Sequence, residues 1–140
     1  MRTQKEILER IEKRKKDDMF GWEILEYVDY LDFNNAKPYL KKGVTKESWE
    51  KAKNMEPAEK IKDYMNFAWQ KANGCRGISA CRSLKHMLAW LWLDGQEEFL
   101  EKWNNLEDYE SYGKPQLKAI CELYGIDWKK YDDGVRTNIG

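Results

Sequence analysis

One stretch of the chain predicts a helix that other elements must bury. Residues 80–93 contain no glycine or proline and place Leu84, Met87, Leu88, Leu91 and Trp92 at helical spacing. Trp90 and Leu93 make the second half apolar nearly all round, which is typical of a helix covered by its neighbours. Ser79 suits the N-cap, and Asp94-Gly95 supplies a stop. The pattern predicts an all-α fold around a central helix over 79–93.

Amphipathic patterns on both sides of this run predict the helices that would cover it. They span 3–16, 22–33, 46–54, 57–73, 96–104 and 115–124, with short turns at 36–42 and 127–131. No stretch alternates apolar and polar residues at period two, so we expect no strand. A length of 140 residues is that of one domain. The prediction is a compact single-domain bundle of about seven helices spanning 1–140.

A basic stripe marks the beginning of the central helix. Its members share one side of the helix or lie close to it: Arg76, Ser79, Arg82, Lys85 and His86. The sequence carries no Asp or Glu from Tyr64 to Leu93. Free backbone amides and the positive dipole end of a helix favour a phosphate or carboxylate, and arginine binds both. Two interpretations stay open: an external anion or partner, or ion pairs with the acidic segment 94–112.

The charge balance and the cysteine count exclude several classes of protein. With 25 basic and 25 acidic side chains, no global field would recruit nucleic acid or a membrane surface. Three cysteines and one histidine show no paired spacing of a zinc site. The first residues lack the apolar segment of a secretory signal, and the central helix is too short to span a bilayer. We expect a reduced, cytoplasmic protein without metal or cofactor.

Two kinds of catalytic site have partial support. A metal-dependent helical nucleotide hydrolase needs carboxylates three residues apart, but exposed helix faces carry the same pattern. Such pairs occur at Glu6/Glu9, Glu23/Glu26 and Glu98/Glu101. A cysteine nucleophile would need His86 as its base, and Cys81 is poorly aligned with it on a helix. Cys121 lies on an apolar face and suits a small core residue. We predict no catalytic residue.

A DNA-binding helix-turn-helix would fit the outline of residues 117–131. Its second helix would be short, and Asp132 and Asp133 would then face phosphate. Repulsion between these carboxylates and phosphate argues against sequence-specific DNA binding by this segment.

Two motifs resemble small uncharacterised proteins encoded by bacteriophages and prophages. They are Arg-Gly-Ile-Ser-Ala-Cys-Arg-Ser at 76–83 and Asp-Asp-Gly-Val-Arg-Thr-Asn at 132–138. The resemblance carries no established activity. It implies a mobile-element accessory protein that docks on a host protein, for example a defence nuclease. It also implies that a polar cluster of Asp132, Asp133, Arg136 and Asn138 meets Arg76 and Arg82.

The sequence is best explained by a non-catalytic helical binding protein that docks on a host protein or nucleoprotein. Its expected polar contacts are Arg76, Ser79, Arg82, Lys85, His86 and Arg136. The first alternative is a nucleotide- or nucleic-acid-binding protein that uses the same basic helix N-terminus. The metal-dependent hydrolase is the second alternative.

Overall fold

The computed structural model describes residues 1–17, 21–52, 55–74, 78–102 and 114–131, of which 21–22, 71–74, 78–85 and 114 are described as backbone alone. Within these ranges the chain forms eight α-helices, two 3₁₀ turns and no strand. The helices are α1 (Gln4–Lys16), α2 (Gly21–Val28), α3 (Phe33–Ala36), α4 (Lys46–Lys51), α5 (Pro57–Gly74), α6 (Ile78–Leu93), α7 (Glu97–Lys102) and α8 (Lys114–Leu123). The 3₁₀ turns are Lys37–Tyr39 and Trp128–Tyr131. The predicted all-α fold is confirmed.

The central helix is α6, as predicted, and it begins one residue earlier than expected. It packs most extensively on α5, then on α2, and it also contacts α7. Ile61, Met65 and Trp69 recur every four residues along α5, so they lie on one buried face. The second half of α6 supplies the facing core residues: Met87, Ala89, Trp90, Leu91 and Leu93.

Glycine ends two helices, and the stop at Gly95 is the one that the sequence predicts. Gly95 has φ +79° and Gly125 has φ +66°, a conformation that side chains disfavour. After α6, the amide of Gln96 donates to the carbonyl of Leu91 at 3.0 Å. After α8, the amide of Ile126 donates to the carbonyl of Cys121 at 2.8 Å. Both ends therefore satisfy carbonyls that the helix leaves unpaired, in the Schellman pattern.

The start of the chain is tied to the C-terminal end of α6 through Arg2. Its backbone amide donates to Leu93 O at 3.1 Å, and its Nε donates to Trp92 O at 2.8 Å. Its guanidinium carbon lies 4.5 Å from the centroid of the Trp92 ring. A cation and two donors at a helix C-terminus compensate both its free carbonyls and its dipole. Arg2 thereby fixes α1 against α6.

The predicted second helix, 22–33, ends five residues early at Val28, and a separate helix, α3, begins at Phe33, so this part of the prediction is wrong. The break falls at residues 29–32, where the carboxylate of Asp32 accepts from Asn35 N at 2.9 Å and caps α3. The side chain of Gln4 on α1 donates to Tyr30 O at 3.0 Å and accepts from Asp32 N at 2.8 Å. Local side-chain bonds compete with a continuous helix, and Gln4 satisfies the backbone that the break exposes.

Truncation of a core residue of α6 tests the central position of this helix. Leu91 is 0% exposed, so Leu91→Ala should lower the free energy of unfolding by about 2–5 kcal/mol through lost burial and a cavity. Leu25→Ala is the matched control, because Leu25 is 57% exposed and should lose less than about 0.5 kcal/mol. Urea denaturation measures both values. Equal losses in the two variants would contradict the buried central helix.

Candidate functional site

Among the predicted contact residues, His86 is the one whose side chain is described. The backbone of Ser79, Arg82 and Lys85 lies in α6, and their side chains lie outside the described residues. Arg76, Arg136 and the predicted polar cluster also lie outside them: Asp132, Asp133 and Asn138. Contacts of these residues with a partner, an anion or one another stay predictions.

His86 belongs to a polar cluster that joins three helices. Its Nδ1 lies 3.0 Å from Oε1 of Glu26, on α2. The indole nitrogen of Trp90 donates to Oε2 of Glu26 at 2.6 Å, and Lys60 Nζ of α5 lies 3.8 Å from the same oxygen. We call Glu26, Lys60, His86 and Trp90 the Glu26 cluster. It fixes α2 to the α5–α6 pair through one partly buried carboxylate.

The Glu26 carboxylate is stabilised in its ionised form. Burial raises its pKa, but hydrogen bonds from His86 and Trp90 and the charge of Lys60 outweigh burial, so the pKa lies below 4.5. One turn later on the chain, burial raises the pKa of Asp29, and the charge of Lys60 opposes that shift. At neutral pH the Glu26 cluster is therefore an ionic contact as well as a set of hydrogen bonds.

Aromatic rings extend this cluster along the contact between α5 and α6, from the buried Trp90 to the exposed Phe67. The Tyr64 ring packs edge-on to Trp90 at 5.1 Å between centroids, and it lies 6.0 Å from His86 and 5.2 Å from Phe67. Lys60 Nζ lies 5.5 Å from the Trp90 ring. Phe67 is 45% exposed, the most exposed aromatic side chain among the described residues. We call Tyr64, Phe67, His86 and Trp90 the aromatic face.

The aromatic face adjoins the predicted basic stripe along α6. The contacts pair position 60 with 90 and 64 with 86, so α5 and α6 run antiparallel. Phe67 lies one turn beyond Tyr64, in the direction of the first turns of α6. Positions 82 and 79 lie one and two turns before His86 on α6. The described rings therefore lead toward the backbone positions of the stripe.

In two of the carboxylate pairs considered as metal ligands, glutamates are engaged in hydrogen bonds or ion pairs with other residues of the chain. Glu6 accepts from Thr3 N and pairs with Arg2, as part of the capping box of α1. Glu23 accepts from Arg14 at 2.9 Å and from Tyr27 at 2.9 Å, whereas Glu26 holds the cluster described above. Within the described ranges, no three of His, Cys, Asp and Glu are placed to hold a metal ion. Glu23 and Glu26 have structural partners instead.

The expectation that these carboxylates lie on exposed faces is wrong for Glu23, which is 4% exposed. Its charge is compensated by Arg14 of α1, at 2.8 Å. Sequence reasoning missed the pairing roles of Glu23 and Glu26. The available signal was that both interrupt the otherwise apolar helix GWEILEYV, where a charge needs an internal partner.

Cys121 is a core residue, as predicted. Its side chain is buried, and burial raises the pKa of the thiol to about 11. At neutral pH the sulfur therefore stays protonated, which makes it a poor nucleophile. Cys75 and Cys81 lie outside the described side chains.

The ionised Glu26 predicts a pH dependence of stability. Glu26→Gln should lower the free energy of unfolding at pH 7 by about 1–3 kcal/mol, because a charge-assisted contact is lost. A carboxylate with a lowered folded pKa stabilises above its unfolded pKa, and this stability disappears as pH falls through the folded value. The difference between the two proteins should therefore shrink between about pH 5 and about pH 3. Denaturation at both pH values measures it, with exposed Glu101→Gln as the control. A difference that stays constant or grows on acidification would contradict a lowered pKa.

Comparisons with protein-family models, with curated proteins and with solved structures find no match for this chain. The resemblance to phage-encoded proteins therefore stays a prediction. In the described part of the chain, no helix has the length and apolar composition required to cross a bilayer.

Proposed function

We propose that the chain is a non-catalytic binding protein that docks on another protein through the aromatic face. The supporting observation is Phe67, an aromatic side chain that is 45% exposed and packs against the ring of Tyr64. Aromatic residues concentrate at protein interfaces, and a few of them carry most of the binding energy. Burial of Phe67 under a partner would remove apolar surface from water, the main favourable term in association.

The aromatic face is held in place before any partner arrives. Tyr64 packs against Trp90, and Trp90 donates to the ionised Glu26 of α2. His86 contacts the same carboxylate, which fixes a second ring of the face. Rings that are already ordered lose little conformational freedom on binding, so more of the contact energy appears as affinity.

The predicted basic stripe would form the polar part of this interface. Arg76, Ser79, Arg82, Lys85 and Arg136 are its proposed contacts, with His86 at the junction to the aromatic face. The resemblance to phage proteins supports a bacterial cytoplasmic partner, such as a host nuclease or nucleoprotein. In this proposal the aromatic rings supply affinity, and the arginines orient the partner through its acidic groups.

Nucleic-acid or nucleotide binding by the same stripe is the second candidate. It is favoured by the local charge of the sequence, since no Asp or Glu occurs from Tyr64 to Leu93. The basic residues in this stretch therefore have no acidic neighbour close to them in the sequence. Binding to phosphates releases counterions, so it weakens steeply as salt rises. An interface based on aromatic contacts responds mildly to salt.

Truncation of Phe67 tests the docking proposal. Capture of a bacterial protein from nuclease-treated lysate by immobilised wild-type chain should persist at raised salt. Phe67→Ala should weaken that capture at least tenfold, because hot-spot truncation costs about 2 kcal/mol or more. Leu123→Ala is the matched control, since Leu123 is 39% exposed on α8. Leu123→Ala should capture the partner as well as wild type does. The melting temperatures of both variants should stay near that of wild type. Equal capture by the two variants, or loss of the captured material on nuclease treatment, would contradict the proposal.

Arg82→Ala tests the proposed role of the stripe. If Arg82 contacts the partner, its melting temperature should match that of wild type while capture falls several-fold. A drop in melting temperature of the isolated chain would instead show that Arg82 forms an internal ion pair. Differential scanning fluorimetry on the purified variant measures this directly, with no partner present.

A further inference from the structure

Exposed lysines concentrate where the segment 37–46 meets the end of α1. This segment begins with the first 3₁₀ turn and ends at the first residue of α4, and it holds four lysines and no acidic residue. Two further lysines lie in the last turn of α1. We call these six exposed residues the lysine surface: Lys15, Lys16, Lys37, Lys41, Lys42 and Lys46.

Tyr39 joins the two parts of the lysine surface. Its hydroxyl donates to Oε1 of Glu12 on α1 at 3.0 Å, and Nζ of Lys15 lies 5.7 Å from the centroid of its ring. The same Glu12 oxygen lies 3.8 Å from Lys15 Nζ. The carboxylate of Glu12 is therefore engaged by Tyr39 and Lys15, and the segment is held against the end of α1.

The remaining members of the lysine surface have no ion-pair partner within the described ranges of the chain. They are Lys16, Lys37, Lys41, Lys42 and Lys46. At the far end of the segment, Glu47 pairs with Lys51 at 3.2 Å. A cation at the C-terminal end of α1 is favourable for the helix dipole, which explains Lys16. Lys41 and Lys42 lie outside any helix, and like charges side by side repel each other. An external polyanion would compensate this repulsion.

The middle of the segment is an open turn. The amide of Val44 donates to Lys41 O at 3.4 Å, and Gly43 has φ +96°, a conformation that side chains disfavour. Apart from its chain neighbours, no atom lies within 4 Å of the position that a Cβ would take at Gly43. The amides of Lys41, Lys42 and Gly43 have no acceptor in the described part of the chain. Charges and free donors are thus accessible to a large partner.

We propose that the lysine surface binds the phosphodiester backbone of a nucleic acid duplex. Lysine side chains and backbone amides both donate to phosphate oxygens, and such contacts are independent of base sequence. Cations spread over a helix end and a loop match a repeated anion better than a single phosphate. Salt limits the reach of surface charges to about 8–10 Å, so the local excess of lysine decides this contact, and the zero net charge of the chain does not prevent it.

The side chains around the lysines favour a duplex over the other polyanions. Single strands bind by stacking their bases on aromatic rings, but Tyr39 is half-buried and Lys15 lies over its ring. An anionic membrane would require apolar side chains that enter the lipid. In the segment 37–46, Val44 is the one exposed large apolar residue, at 37%. The lysine surface therefore offers charge and donors without a stacking platform or an apolar anchor.

The experiment measures fluorescence anisotropy of a labelled DNA duplex of about 20 base pairs and mixed sequence during titration with the chain. With about four phosphate contacts, affinity should fall on the order of a hundredfold between about 50 and about 200 mM NaCl, because counterions are released on binding. The double variant Lys41→Gln/Lys42→Gln should bind about tenfold or more weakly at the lower salt concentration. It should also reduce the slope of log K against log salt by about 2.

A charge-matched control separates the lysine surface from net charge. Lys62→Gln/Lys102→Gln removes two exposed lysines from α5 and α7, and it should bind the duplex within about twofold of wild type. Phe67→Ala should bind DNA as wild type does, so this inference and the docking proposal are tested separately.

Other outcomes would overturn the inference. Equal weakening by the two double variants would show a response to net charge alone. Binding that is lost in Arg82→Ala and kept in Lys41→Gln/Lys42→Gln would place the DNA site on the basic stripe of α6. Absence of DNA binding at the lower salt concentration would exclude the duplex as ligand. Association with vesicles of phosphatidylcholine and phosphatidylserine that requires Lys41 and Lys42, without DNA binding, would identify a lipid surface as the partner instead.

Discussion

The arrangement of the helices around α6 depends on one partly buried carboxylate, that of Glu26. A charge removed from water is costly unless donors replace its hydration. Here His86, Trp90 and Lys60 supply those donors from α5 and α6. Their combined effect exceeds that of burial, since the pKa of Glu26 lies below its usual value. The carboxylate thus fixes α2 on the α5–α6 pair.

A helix that is apolar nearly all round needs such directional contacts. Hydrophobic burial is proportional to area and has no direction, so it does not decide which neighbour covers which side of α6. Two polar contacts supply that information at different positions along the helix. Glu26 contacts His86 in the middle of the helix and Trp90 in its last turn, and Arg2 contacts Trp92 and Leu93 at the end. Together these contacts fix the distance of α1 and α2 from α6 and the side of α6 that each of them covers.

The sequence predicted those features that depend on local residues. The bounds of α6 differ from the prediction by one residue, because a run without glycine or proline and the Asp94-Gly95 stop define them. The break after Val28 was not predicted, since it depends on Gln4, which lies 26 residues before Tyr30. The Glu26–His86 contact spans 60 residues and has no local signal either. Local pattern therefore identified the helices, and distant side chains decided how they meet.

In the candidate site, too, local sequence identified some residues, and contacts between distant residues decided the rest. His86 was selected by its helical spacing with Ser79 and Arg82, and its described contact is with Glu26 of α2. The contributions of Tyr64 and Phe67 were not predicted as a binding surface, because an aromatic residue at helical spacing indicates a core position equally well. Tyr64 satisfies both descriptions: it packs on the core and contacts the exposed Phe67. Exposure of a particular ring depends on which helices cover it, and this requires the tertiary structure.

Lys60 connects the aromatic face with the residues that follow α2. Its Nζ lies 5.5 Å from the Trp90 ring and 5.4 Å from the Tyr30 ring, and its charge acts on both Glu26 and Asp29. Trp90 belongs to the proposed docking face, whereas Asp29 and Tyr30 follow the last residue of α2. Because the chain has zero formal net charge, long-range attraction by a global field is unavailable. A partner would then be oriented by local complementarity alone. A protein that offers an apolar group to Phe67 and acidic groups to the predicted basic stripe would match both surfaces in one orientation.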